Sequence, residues 1–160
     1  MTSEKIKGKF TFQSAGVLFI LSALLELYSI NARVPLFGNV RGGLMAATYH
    51  LIYVVLFFCL GFGLYKARPW AYRLIFAATG FYTLDRLVYI SDRRALAAYL
   101  AELLNKYGAA AGIPETGIIL KIVTFAAILT VAGWWGFAGY TYLRRSYFQQ
   151  QARVVKTVGS

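Results

Sequence analysis

Apolar residues run almost unbroken through four stretches of the chain, and short polar or turn-forming segments separate them. The first stretch runs from about Phe12 to Ile30, the second from Leu44 to Tyr65, the third from Trp70 to Ile90 and the fourth from Glu115 to Leu143. At about 1.5 Å rise per residue, each can cross roughly 30 Å of hydrocarbon as an α-helix. The fourth is long enough to tilt or protrude. Between the third and fourth the pattern changes. Leu96, Tyr99, Leu100, Leu103, Leu104 and Tyr107 recur at helical spacing, with Asp92, Arg93, Arg94, Glu102, Asn105 and Lys106 on the other side. That stripe predicts an amphipathic helix over 92–107, lying in the interface, capping the bundle mouth or continuing the third span as a bent helix.

The connections fit this plan. Asn31–Gly43 reads as a loop, with Pro35, Gly38, Gly42 and Gly43 as turn formers. The Lys66–Pro69 connection is short enough to predict a tight hairpin between spans two and three. Pro69 suits the first turn of a helix, where a missing N–H costs nothing. Gly108–Gly112 breaks the amphipathic helix, and Pro114 starts the fourth span. Gly61 and Gly63, and separately Ala132, Gly133, Gly136 and Gly139, predict close helix packing. The predicted fold class is all-α: one polytopic membrane domain over 1–160, with four transmembrane helices in an antiparallel bundle, one amphipathic interfacial helix and a basic tail over 144–160.

Composition agrees. The chain is 59% hydrophobic and 14% charged, with a net charge of +11. Soluble domains average roughly 45–50% apolar and about 25% charged. In a membrane protein the basic excess belongs to loops that meet anionic headgroups. The basic residues form no continuous stripe, so nucleic acid is not an expected partner. The side holding both termini and the 66–69 turn carries ten basic residues against five opposite, which predicts both termini in the cytoplasm of a bacterial or archaeal cell. The first apolar run is longer than a signal-peptide core and lacks a nearby small-residue cleavage site, so it reads as a retained span. Cys59 is the only cysteine, which excludes an intramolecular disulfide and a cysteine-based zinc site.

Candidate chemistry lies in the spans. Charge within hydrocarbon is costly, rare and usually paired or functional. Glu26 lies about one turn before the end of span one, and His50 about as far into span two. Asp85 and Arg86 lie about one turn before the end of span three, and Lys121 two turns into span four. All five fall in the outer half, about 5–10 Å below the boundary by helix rise. Their charges can cancel, which predicts convergence on the bundle interior, with Tyr49, Tyr53, Tyr82 and Tyr89 supplying hydroxyl partners.

Three readings follow. One is a structural ion-pair network that fixes helix register, as in a subunit of a membrane complex. Another is an outward-facing polar pocket, closed by the 92–107 helix, for a small molecule, lipid headgroup or ion. There Arg86 and Lys121 hold an anion or carboxylate, and His50 with Glu26 exchanges protons. The third is an intramembrane isomerase-like enzyme using His50, Glu26 and Asp85 as acid and base. Binding, transport-accessory or assembly work in the bilayer, alone or as a homo-oligomer, is favoured over catalysis. No cofactor is expected. A lone histidine and the absence of an H-x-x-E spacing argue against haem and metal. Phosphate-loop, nucleophile-elbow and H-E-x-x-H patterns are absent from the sequence. The plan of four spans with acidic and aromatic residues around an outer-half cavity resembles small sterol-isomerase-type bundles. The segment L-Y-K-A-R-P-W (Leu64–Trp70) resembles a hairpin of uncharacterised bacterial membrane proteins. Neither extends over a diagnostic motif, so neither implies a functional residue.

Overall fold

The computed structural model describes residues 8–36, 39–106 and 116–149. The expectations for the N-terminal lysines, for Tyr107, Gly108–Gly112, Pro114 and Glu115, and for the last part of the basic tail lie outside these residues. In chain order the elements are α1 (Lys9–Tyr28), β1 (Val34–Leu36), β2 (Asn39–Arg41), α2 (Gly43–Tyr65), α3 (Pro69–Ser91), α4 (Arg93–Lys106) and α5 (Thr116–Leu143). Helices α1, α2 and α5 are long and apolar enough to cross a membrane, which marks an integral membrane protein. Helix α3 matches α2 at 23 residues but carries Arg73, Asp85 and Arg86 along its length. Much apolar surface stays exposed, including Leu21 and Leu25 on α1 and Ile122, Phe125 and Ile128 on α5. In water such a surface would drive aggregation; in hydrocarbon it is solvated.

Helix α1 packs along α2, α2 along α3, and α3 along α5. The closest approach is between α1 and α2, where glycines allow it. A Cβ on Gly61 would sit 2.6 Å from the Ile20 side chain and 2.7 Å from the Gly16 carbonyl oxygen. Gly63 does the same for α3, whose Ala71 and Trp70 occupy the space a side chain would need. The glycines of α5 behave otherwise. A Cβ on Gly133, Gly136 or Gly139 would meet nothing within 4 Å, so this face packs against none of the described residues. Small residues permit contact without specifying a partner.

The α2–α3 turn is a Schellman arrangement. Arg68 N–H donates to the Gly63 carbonyl at 2.8 Å, and Ala67 N–H to that of Leu64 at 3.1 Å. Ala67 holds the left-handed position at φ 51°, where glycine is usual. Its methyl is fully buried, which offsets the backbone cost. Pro69 opens α3 as its fixed φ suits.

Around this turn lies the main core, with Phe12, Leu60, Leu64, Ala71 and Ile75 buried. The start of the expected basic tail belongs to that core. After α5 the chain turns at 144–145 and a short helical segment, 146–149, folds back. Tyr147 stacks on Phe12 at 4.8 Å between ring centroids, and Phe148 meets it edge-on at 5.0 Å. Tyr147 donates its hydroxyl proton to the Leu64 carbonyl at 3.3 Å.

The opposite end is capped. The expected loop contains an antiparallel ribbon, with Val34 opposite Arg41 and Pro35 opposite Val40. Both strands of a two-stranded ribbon are edges, so Pro35 costs no obligatory ladder bond. Helix α4 is separate from α3. Asp92 leaves helical dihedrals and its carboxylate accepts the Ala95 N–H at 3.1 Å as an N-cap. The expected apolar stripe is buried at Leu96 and Leu100. It packs on the ribbon, α5 and α3, and Arg33 bonds Glu102 at 2.7 Å.

Candidate functional site

Four of the five expected cluster residues form two pairs near this capped end, Glu26 with His50 and Asp85 with Arg86. Glu26, in the last turn of α1, is hydrogen-bonded to His50 Nδ1 at 2.7 Å. The other ring nitrogen, Nε2, lies 3.3 Å from the Ala32 carbonyl oxygen. A carbonyl only accepts, so Nε2 carries a proton when that bond is made. His50 is buried and Glu26 half-buried. Both imidazole nitrogens are spent on protein partners, which favours an orienting role over proton exchange with a ligand.

The second pair sits between α2 and α3. Tyr49 donates its hydroxyl proton to Asp85, equidistant at 3.1 Å from both carboxylate oxygens. Helical spacing sends Asp85 and Arg86 about 100° apart, and Asp85 accordingly meets α2. Arg86 lies along its own helix, with its guanidinium carbon 4.9 Å from the Tyr82 ring centroid and 5.3 Å from that of Tyr89. Two aromatic faces stabilise a cation even where water is scarce. Its Nε approaches Asp85 only to 3.6 Å, too far for a hydrogen bond. That Nε is buried without a partner, and no guanidinium N–H of Arg86 donates to another described residue.

Tyr82 continues this ladder inwards. It stacks on Trp134 at 5.2 Å and donates to Thr130 Oγ1 at 3.3 Å. Tyr53 is buried with its ring 5.0 Å from Tyr49, and its hydroxyl makes no hydrogen bond to another described residue. Of the four tyrosines expected to donate hydroxyl protons to the charges, only Tyr49 does so. Tyr82 and Tyr89 serve Arg86 through their rings instead.

Lys121 does not join the cluster. It is exposed on α5 and lines a shallow groove with Arg93, Thr124 and Phe125. Counting helix rise fixes depth but not rotation about the helix axis, and Lys121 points away. The convergence of five residues thus becomes two pairs, with Tyr49 next to one and bonded to the other. Without Lys121, Arg86 is the one lysine or arginine of the cluster, and Asp85 beside it balances its charge. The pattern of ionisable residues gave no sign of Ala32, Thr130 or Trp134. For Thr130 and Trp134, their i, i+4 spacing on α5 was the available signal. Among the described residues no three His, Cys, Asp or Glu side chains cluster as a metal site.

No protein-family model matches the chain, and neither a curated protein nor a solved structure matches it.

Proposed function

We propose that this is a four-span membrane protein with both termini cytoplasmic, and that it binds an oxygen-bearing small molecule or lipid at Arg86. The unsatisfied guanidinium carries this reading. A partly buried arginine normally spends its five N–H groups, because leaving them unpaired costs free energy. Here the two tyrosine rings fix the group in place, and its hydrogen bonds are left for a ligand. A carbonyl, ester or phosphoryl oxygen suits it better than a free anion, because Asp85 already balances the charge. The half-buried exposure of Arg86 leaves it reachable. Helix α3 crosses the bilayer in this reading because its Asp85 and Arg86 neutralise one another and meet partners rather than lipid.

Gentle purification followed by mass spectrometry of extracted small molecules tests the binding. An oxygenated apolar compound should accompany the wild type and be lost in Arg86→Gln with melting preserved. Its absence from the wild type refutes the reading. Span number is separable. In a Cys59→Ala background, single cysteines at Asn39 and Arg93 should label from one side of the membrane, and one at Lys66 from the other. Labelling of Lys66 and Arg93 from the same side would remove α3 from the spans.

A further inference from the structure

Helices α1 and α5 meet through side chains, with ring centroids 5.3 Å apart for Phe19 and Trp134 and 6.1 Å apart for Phe12 and Phe137, and their backbones stay apart. Between them opens a cleft of about 470 Å³, within the range of small-molecule sites. Ala15 and Phe19 of α1, Phe57 of α2, Tyr82 of α3, and Gly133 and Trp134 of α5 line it, so every long helix contributes. Leu18 of α1 also lines it; Leu18 and Gly133 are exposed on apolar spans, so the cleft reaches the face these helices turn to hydrocarbon.

The hydroxyls on its wall are already spent. Ser22 Oγ donates to the Leu18 carbonyl at 3.0 Å, Tyr82 to Thr130 at 3.3 Å, and Thr130 to the Ala127 carbonyl at 2.9 Å. Hydroxyls bonded within the protein give a polar solute little reason to enter, while the aromatic walls favour hydrocarbon. Tyr82 is part of the cleft wall, and the Arg86 guanidinium lies 4.9 Å from the centroid of its ring.

We infer that the cleft is a lateral entrance that takes the hydrocarbon chain of an amphiphile from the bilayer and delivers its oxygen-bearing head towards Arg86. The inference rests on the Arg86 reading for the head group alone; the chain site stands on the cleft. Gly133 sets its width, since a side chain there meets nothing and grows into open space.

Fluorescence quenching tests it. With Trp70→Phe and Trp135→Phe, Trp134 is the sole tryptophan and reports from the cleft wall. The protein is placed in phosphatidylcholine vesicles and titrated with methyl dibromostearate, with dibromooctadecane, or with brominated phosphatidylcholine. The ester should quench at a mole fraction about tenfold below that of brominated phosphatidylcholine, a site preference of about 1.4 kcal/mol. Gly133→Phe should abolish that preference. Arg86→Lys, which keeps the charge but loses the planar fork, should weaken the ester and leave dibromooctadecane unchanged. If dibromooctadecane matches the ester and Arg86→Lys changes nothing, while Gly133→Phe still abolishes quenching, the cleft stands and the Arg86 reading falls. Quenching by the ester that only equals that of brominated phosphatidylcholine, meaning ordinary bilayer lipid only, overturns the inference. So does a preference that survives Gly133→Phe.

Discussion

The two ends of the helix assembly are held by different physics. At the turn end, Phe12, Leu60, Leu64, Tyr147 and Phe148 pack ring against chain, and the hydrogen bonds there are mostly backbone turns. At the ribbon end, fewer side chains are buried, and directional bonds fix the elements: His50 to Glu26 and to Ala32, Tyr49 to Asp85, Arg33 to Glu102. Close packing tolerates neither a hole nor an intrusion, because a rigid surround cannot collapse. Directional bonds can be removed one at a time, and each loss stays local. An end built that way can also leave the Tyr53 hydroxyl and the Arg86 Nε unsatisfied without unravelling. The division places rigidity at one end and an available donor at the other.

Phe12→Ala is the hardest blow to that contrast. It removes a fully buried ring with four aromatic neighbours and should cost about 3–5 kcal/mol, read by thermal unfolding in micelles. A loss below about 1 kcal/mol would mean that the turn end is not close-packed.

Glu26→Ala comes next. It strands a buried imidazole nitrogen and should cost about 1–3 kcal/mol, the lower part of that range applying because Glu26 is half-buried. His50→Phe should cost a similar amount. The double variant should cost clearly less than the sum, since one bond serves both residues. Strict additivity would show that the two do not act as a pair.

Two glycines sharpen the comparison. Gly61→Ala forces a methyl against the Gly16 backbone and should cost about 1–3 kcal/mol. Gly133→Ala meets open space and should be neutral or stabilise by up to about 1 kcal/mol through helix propensity. Equal effects at the two positions would contradict the α1–α2 contact.

The smallest effect lies in the alkaline range. Burial pushes the Tyr147 phenol up from 10.0. The folded state therefore favours the neutral phenol. That contribution is intact below pH 10.0 and is lost as pH rises through the folded value. Tyr147→Phe should lose about 0.5–1.5 kcal/mol near neutrality, from its bond to Leu64, and show a shallower alkaline decline. A decline as steep as that of wild type would place the titration elsewhere.

Helix limits were legible to within a few residues, because an apolar run must end where polar or turn residues begin. The α4 stripe was legible for the same reason, through period 3.6 instead of continuity. Depth was legible too: equal distances from the loop put Glu26 beside His50, and they bond. Rotation about the helix axis was not, and Lys121 shows why. An apolar helix that shows lipid on most sides has no polar face to fix its azimuth. The α5 glycines fail similarly. The ribbon hid among turn formers, because three-residue strands are too short to set an alternation. Tyr147 and Phe148 hid behind Arg144 and Arg145, whose charge reads as the end of structure.

The stacking of Tyr147 and Phe148 on Phe12 has a consequence for biosynthesis. A ribosome delivers residue 12 long before residue 148, so the socket around that first aromatic ring stays half built while the intervening helices are threaded. Its closure is a late event, completed when Tyr147 and Phe148 leave the exit tunnel. Nascent chains arrested before that point should carry a loosely seated α1 that stays open to capture by an insertase.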